Sequence, residues 1–355
     1  MSRSLAKAGV SCSIVTTDIG LTQERRSELA DVDLFAYPCL SARFYLAKVS
    51  YAELRRRLAK VDIVHLMGHW SYLNALVYVV ASRMKKPYVL CPAGALPIYG
   101  RSRTLKTLYN LFIGRRMVAN ADGYIAITPD EIGQFRSYGV APNRVTVIPN
   151  AVNSAEFLDE DEVGFRHQYG LGGDPFILFV GRLNPIKGPD LLLKAFANLR
   201  DRLPNYHLVL AGPDGGMLSS LRDLVSASGL EGRVHFTGYL GGADKSRAYH
   251  AAAVLVVPSR QEAMSIVVLE AGITGTPVLL TDRCGFDDVG AVGGGQVVPA
   301  TVAGLETGLR VMIEDPARLK VMGRNLGEYI RDHFAWDSIV NQYVQLYQRI
   351  LDEKY

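Results

Sequence analysis

The chain is expected to be an α/β protein built from two doubly wound domains, each a parallel sheet covered by helices. Three observations lead there. Short apolar runs alternate with helical patterns along the chain, the signature of parallel strands joined by crossover helices. At 355 residues it is too long for a single core. The polar, glycine-containing clusters of its second half directly follow apolar runs, which is where open parallel sheets collect ligands.

The strand candidates of the first half are residues 13–16, 62–66, 88–91, 123–127 and 145–148, each a short and largely apolar run. Those of the second half are residues 176–180, 207–211, 234–237, 254–257, 277–281 and 295–298. Residues 153–173 are polar and acidic at first and glycine-rich at their end, so the hinge is placed there. The domains expected are residues 1–160 and 161–335, followed by a terminal segment 336–355. That segment carries Ile339, Tyr343, Leu346, Tyr347 and Ile350 at helical spacing. No repeat of fixed period is present, which excludes a solenoid.

Composition narrows the function. With 48% apolar and 21% charged residues the chain is neither disordered nor fibrous. Its four cysteines, Cys12, Cys39, Cys91 and Cys284, are scattered without metal or redox spacing, which reads as reduced thiols in a cytoplasmic protein. No run reaches the length of a spanning helix, and the first residues lack the apolar core of a secretory signal.

The net charge of +4 hides an asymmetry. Residues 1–150 hold 20 Lys and Arg against 10 Asp and Glu, and residues 151–355 hold 19 against 25. The basic clusters are Arg55, Arg56, Arg57 and Lys60, then Arg101, Arg103, Lys106, Arg115 and Arg116 around Leu105, Leu108, Phe112 and Met117. Two readings of the second cluster stay open. It is a basic amphipathic helix resting peripherally on the anionic inner surface of a membrane, or a solvated face whose apolar stripe packs on the core. No recognition motif accompanies the charge, so nucleic acid is not an expected partner.

Two strand-to-helix turns carry the chemistry. Gly181, Arg182 and Lys187 lie in FILFVGRLNPIKG; Glu262 and Glu270 lie in VVPSRQEAMSIVVLE. A guanidinium and an ammonium suit a diphosphate. Ala263, Met264, Ser265 and Ile266 open a helix whose N–H groups and dipole suit the same anion. Glu270, further into that helix, is placed to accept both hydroxyls of a ribose, leaving Glu262 at the helix mouth for a sugar. Taken singly, Glu262 reads as a helix-capping carboxylate and Glu270 as a surface salt bridge on its helix. Together the turns suit a nucleoside diphosphate sugar.

In these residues the chain resembles the family-4 glycosyltransferases. The matching pieces, in order, are VIPNAVN, VGRLNPIKG, AGPDGG, FTGYL, VVPSRQEAMSIVVLEAGITGTPV and FAWDSIVNQYVQLYQRIL, and the resemblance runs over essentially the whole chain. It implies the GT-B fold, two Rossmann-like domains facing a cleft, with the terminal helix packing back on the first. It also implies retaining transfer of a sugar from a nucleoside diphosphate donor to an acceptor hydroxyl, with no metal and no other cofactor.

Carried over residue by residue, Arg182 and Lys187 hold the diphosphate, Glu262 contacts the donor sugar, and Glu270 binds the ribose. Gly212 and Gly238 with Tyr239 wall the base pocket. A histidine from the first domain completes the catalytic set. The family places two histidines one residue apart, whereas this chain reads His65, Leu66, Met67, Gly68, His69; His69 is preferred for the role. His65, Gly94 and Asn150 are assigned to the acceptor.

Two further departures stand out. Ala263, Met264 and Ser265 replace the glycines many relatives carry after the first glutamate, which tightens the sugar pocket. Residues 4–9 read as the end of the family's first helix, so its first strand and glycine-rich turn are expected to be missing and a start upstream of Met1 is expected. The function expected is a cytoplasmic enzyme of cell-surface polysaccharide assembly, lipopolysaccharide or exopolysaccharide, acting on a lipid-linked saccharide. The alternatives are a soluble glycosyltransferase or sugar phosphorylase on a small acceptor, and a catalytically idle nucleotide-sugar-binding subunit.

Overall fold

The computed structural model of the chain describes residues 1–42, 45–98 and 102–354. Two compact units form, one of Met1–Pro149 with Trp336–Tyr355 and one of Asn150–Ala335.

The first unit opens with β1 (Ser13–Thr17) and β2 (Asp33–Tyr37), a parallel pair, and an antiparallel hairpin of β3 (Cys39–Ser41) and β4 (Leu46–Ala47). Its main sheet is β5 (Val64–Met67), β6 (Tyr88–Cys91), β7 (Gly123–Ala126) and β8 (Val145–Val147), parallel and in chain order. Every residue of β6 and β7 is buried, as expected of strands covered on both faces. Leu54, Leu66, Val80, Leu90, Tyr124 and Phe135 lie in the core that the helices close over this sheet.

The helix Trp336–Asp352 completes that core. It buries Ile339, Tyr343, Leu346, Tyr347 and Ile350, and a Cβ on Gly123 would lie 2.5 Å from Ile350 Cδ1. The Tyr347 hydroxyl meets His65 Nδ1 at 2.7 Å.

The second unit is one six-stranded parallel sheet. Its strands are β9 (Phe176–Val180), β10 (His207–Ala211), β11 (Val234–Gly238), β12 (Val254–Val257), β13 (Val278–Thr281) and β14 (Gly295–Val298). Their order is β11-β10-β9-β12-β13-β14, so the winding reverses between β9 and β12. That reversal opens a crevice at the carboxyl ends of those two strands.

Two expectations are corrected. The strand β2 was not anticipated: Asp33–Tyr37 is short, half-buried and without clean alternation. The hinge is not at 153–173, and the first unit ends at Pro149 instead of residue 160. Residues 153–173 fold into the second unit because their side chains are anchored there. Phe165 is buried against Phe176, Phe157 packs on Tyr249, and Asp159 receives a two-toothed ion pair from Arg247 at 2.8 and 2.9 Å. Arg166 donates to the carbonyls of Asp174 and Ala251.

Candidate active site

The loops that leave β9, β10 and β11 are laced through backbone. Gly181 N–H donates to Ala211, Gly212 N–H to Gly238, and Leu183 and Gly215 bond the facing strand end through Pro213 and Leu183 carbonyls. Side chains are excluded from that seam. A Cβ on Gly212 would lie 1.9 Å from the Gly181 carbonyl oxygen, and one on Gly215 would lie 2.8 Å from Arg182 Cγ. The stem of Arg182 therefore lies over Gly215, while the residue as a whole is exposed. Arg182 pairs with no acid among the described residues, and Tyr239 stands exposed after Gly238.

The loops after β9 and β12 are clipped together. Arg260 donates its main-chain N–H to the Ile186 carbonyl, and its guanidinium reaches the Pro185 carbonyl and both carboxylate oxygens of Asp190, at 2.9 and 2.7 Å. Gly188 is pressed against the same loop, at φ +67° and with its missing Cβ 2.1 Å from the Pro258 carbonyl oxygen. Gly188→Ala is expected to destabilise the second unit by about 2–4 kcal/mol, combining left-handed strain with a backbone clash. Denaturant unfolding checks this against Gly232→Ala, whose Cβ meets nothing and whose cost is expected below about 1 kcal/mol.

Across this clip, Lys187 Nζ sits 2.9 Å from Glu262 Oε1, whose side chain is 9% exposed. The same carboxylate accepts from Ser259 Oγ, and the Glu262 N–H donates to Arg283. The lysine is thus not free of acids. It is paired with the carboxylate assigned to the sugar.

The mouth of the helix Ile266–Ile273 follows. Ser265 is its N-cap residue, its hydroxyl buried and without a hydrogen-bond partner among the described residues. Met264 is buried, Ala263 half-buried and Ile266 exposed. Asn150 lies here too, in the second unit and not in an acceptor domain, with Nδ2 3.5 Å from the Met264 carbonyl.

Glu270 does not stand open for two hydroxyls. Lys245 Nζ and the Tyr249 hydroxyl each approach one of its oxygens at 2.7 Å. Burial and the adjacent carboxylate push the Tyr249 phenol well above its ordinary value, so Tyr249 holds its proton and donates. Lys245 and Tyr249, four residues apart on one helix face, were missed by the sequence reading, as were Ser259, Asp190 and Arg260. The i, i+4 spacing was the one signal on offer.

In the first unit, His69 is 1% exposed. Its Nε2 donates to Asn110 Oδ1 at 2.9 Å, and Trp70, Tyr109 and Tyr138 surround the ring edge-on. Burial lowers its pKa to about 4, so it is neutral near pH 7. The ring is thus enclosed within the first unit. His65, held by Tyr347, is also lowered to about 4 by burial. It lies within β5. Gly94, at φ +79°, follows Ala93 at φ +48° in the turn after β6.

The crevice at this topological switch point thus holds a paired lysine and glutamate, and an exposed arginine follows β9. Residues 165–330 match the model of glycosyl transferases group 1, and residues 1–151 that of a glycosyl transferase 4-like domain. The D-inositol 3-phosphate glycosyltransferase of Kineococcus radiotolerans is 30% identical over 343 residues, covering 87% of this chain and 76% of that protein. The chain belongs to the glycosyltransferases. Among solved structures, the sucrose-phosphate synthase of Thermosynechococcus elongatus superposes with a TM-score of 0.77 at 22% identity, covering 99% of this chain and 92% of that one. HepE of Anabaena, in complex with UDP-glucose, superposes with a TM-score of 0.76 at 20% identity, covering 91% and 88%. The fold is GT-B.

Proposed function

We propose that the chain transfers a sugar, with retention, from a nucleoside diphosphate sugar to an acceptor hydroxyl. The observation that carries this reading is the Lys187–Glu262 pair at the carboxyl ends of β9 and β12. On donor binding the diphosphate takes Lys187 away from Glu262 and adds Arg182, and the released carboxylate turns to the sugar hydroxyls. The bond from the anomeric carbon to the diphosphate then breaks with its electron pair on the phosphate oxygen, where the two cations stabilise it. The acceptor oxygen bonds to the same face of that carbon, and its proton passes to the departing phosphate. The reading assigns the neutralisation to these side chains and to no metal. The UDP-glucose held by HepE supports a nucleotide hexose as donor.

For the acceptor we take a lipid-linked saccharide of cell-surface polysaccharide assembly, met at the cytoplasmic face of the membrane. The basic first half supports it. The donor arm is tested by thermal unfolding with UDP, GDP, ADP and their sugars. A ligand at 100 times its Kd adds about 2.7 kcal/mol, a rise of roughly 5–10 °C for a unit of this size. The rise is expected with one base and is expected to vanish in Arg182→Ala. A cooperative transition unmoved by every nucleotide sinks the reading, and binding without slow donor hydrolysis indicates an idle binding subunit.

A further inference from the structure

The segment 103–119 of the first unit turns its largest apolar side chains away from the core. It runs as the helix Arg103–Tyr109, a single π turn Asn110–Gly114 and the short helix Arg115–Ala119. Its inner face is Tyr109, Asn110, Ile113, Gly114, Met117 and Val118, buried or half-buried. Leu105 and Leu108 are each 45% exposed, Leu111 67% and Phe112 70%. The stripe of leucines and phenylalanine is therefore outside, and the reading that packs it on the core fails for all of these but Met117.

The arrangement is held from beneath. Asn110 takes the His69 N–H and donates to the Tyr138 hydroxyl, which donates to the Leu96 carbonyl. A Cβ on Gly114 would lie 2.3 Å from Asn110 Oδ1, so glycine is required for the turn to close on that amide. The additional residue of a π turn shifts the helical faces. Leu111 and Phe112 are aimed outward by a buried hydrogen-bond network, not by a frayed end.

The charge beside the stripe is of one sign. Arg103, Arg115 and Arg116 are exposed, and no acidic residue occurs anywhere between Asp62 and Asp122. Arg101, of the same cluster, lies outside the described residues. Four apolar side chains among cations match a surface that is anionic at its boundary and apolar below it. A two-fold contact with a second copy would set these arginines against themselves.

We propose that this face seats the first unit on a bilayer of anionic lipid, with Leu111 and Phe112 entering the acyl boundary. The proposal deepens the reading of a membrane-borne acceptor, but its test contains neither donor nor acceptor and fails or succeeds separately from catalysis.

The full chain is floated with vesicles of phosphatidylcholine, alone or mixed with phosphatidylglycerol. Binding to the mixed vesicles is expected and binding to the neutral ones is not. Arg115→Gln with Arg116→Gln is expected to weaken binding roughly thirtyfold at low salt and to flatten its salt dependence. Leu111→Ser with Phe112→Ser is expected to weaken it at least roughly tenfold at every salt concentration. All four positions are exposed, so thermal unfolding is expected to match the parent; should the serine pair misfold, the arginine pair carries the test. Equal partition into both vesicle types, no effect of either pair, or self-association that the serine pair abolishes would each overturn the proposal.

Discussion

Glu262→Ala is expected to lower sugar transfer by roughly 10²–10³ while binding the free nucleoside diphosphate as tightly as the parent, or up to about tenfold more tightly. The two effects separate because one carboxylate has two partners. Its side chain is 9% exposed and it holds Lys187 at 2.9 Å, so a diphosphate must win the lysine from it. Removing the acid leaves the ammonium free. A charged hydrogen bond is worth about 1.5–3 kcal/mol, but Lys187 is 33% exposed and solvent screening reduces the gain to about 1 kcal/mol.

Lys187→Ala is the opposite case. The diphosphate loses a cation, and Glu262 is left nearly buried with only Ser259, at a cost of about 2 kcal/mol to the second unit. Titration calorimetry with the diphosphate that scores in the nucleotide panel, beside a transfer assay, distinguishes the variants. If both weaken diphosphate binding alike, the exchange of partners is wrong.

Acid is expected to loosen the first unit well before carboxylate titration would. His65 and His69 are each lowered from 6.5 to about 4 by burial. Between those values the unfolded chain binds protons that the native unit refuses, so stability rises with pH across that window. The contribution is full above about pH 6.5, is lost as pH falls and is exhausted below about pH 4, at about 3 kcal/mol for each histidine. Glu131 works against this, since burial raises its carboxyl and protonation relieves it.

Both tryptophans, Trp70 and Trp336, belong to the first unit, so their fluorescence follows its unfolding alone. Urea midpoints from pH 7 to pH 4 should fall steeply in the parent and less in His65→Gln. An unchanged slope in both His65→Gln and His69→Gln would show that other groups set the acid limit.

What sequence reading could reach depended on whether the signal was local. The β9 and β12 runs, FILFV and VLVV, are apolar from end to end, and only a buried parallel strand needs that. Gly181, Gly188 and Glu262 lie in the loops that follow them, and Gly212 follows β10, so the position of the turns that build the crevice was legible too. Partner choice was not. That Lys187 meets Glu262, or that Glu270 is occupied by Lys245 and Tyr249, depends on loops brought together by strand order. The inversion of the 103–119 stripe was equally hidden, because a π turn breaks the 3.6-residue period on which the reading relied.

The first unit is discontinuous in the chain, since its core is closed by Trp336–Asp352 while Asn150–Ala335 forms the second unit without interruption. During synthesis, the usual order in which domains fold as they emerge is therefore reversed. Residues 1–149 leave the ribosome first but must wait, with the surface meant for Tyr343, Tyr347 and Ile350 uncovered, until about two hundred further residues have been made. The second unit is free to reach its native state first, and the older half of the nascent chain is the part left uncovered longest.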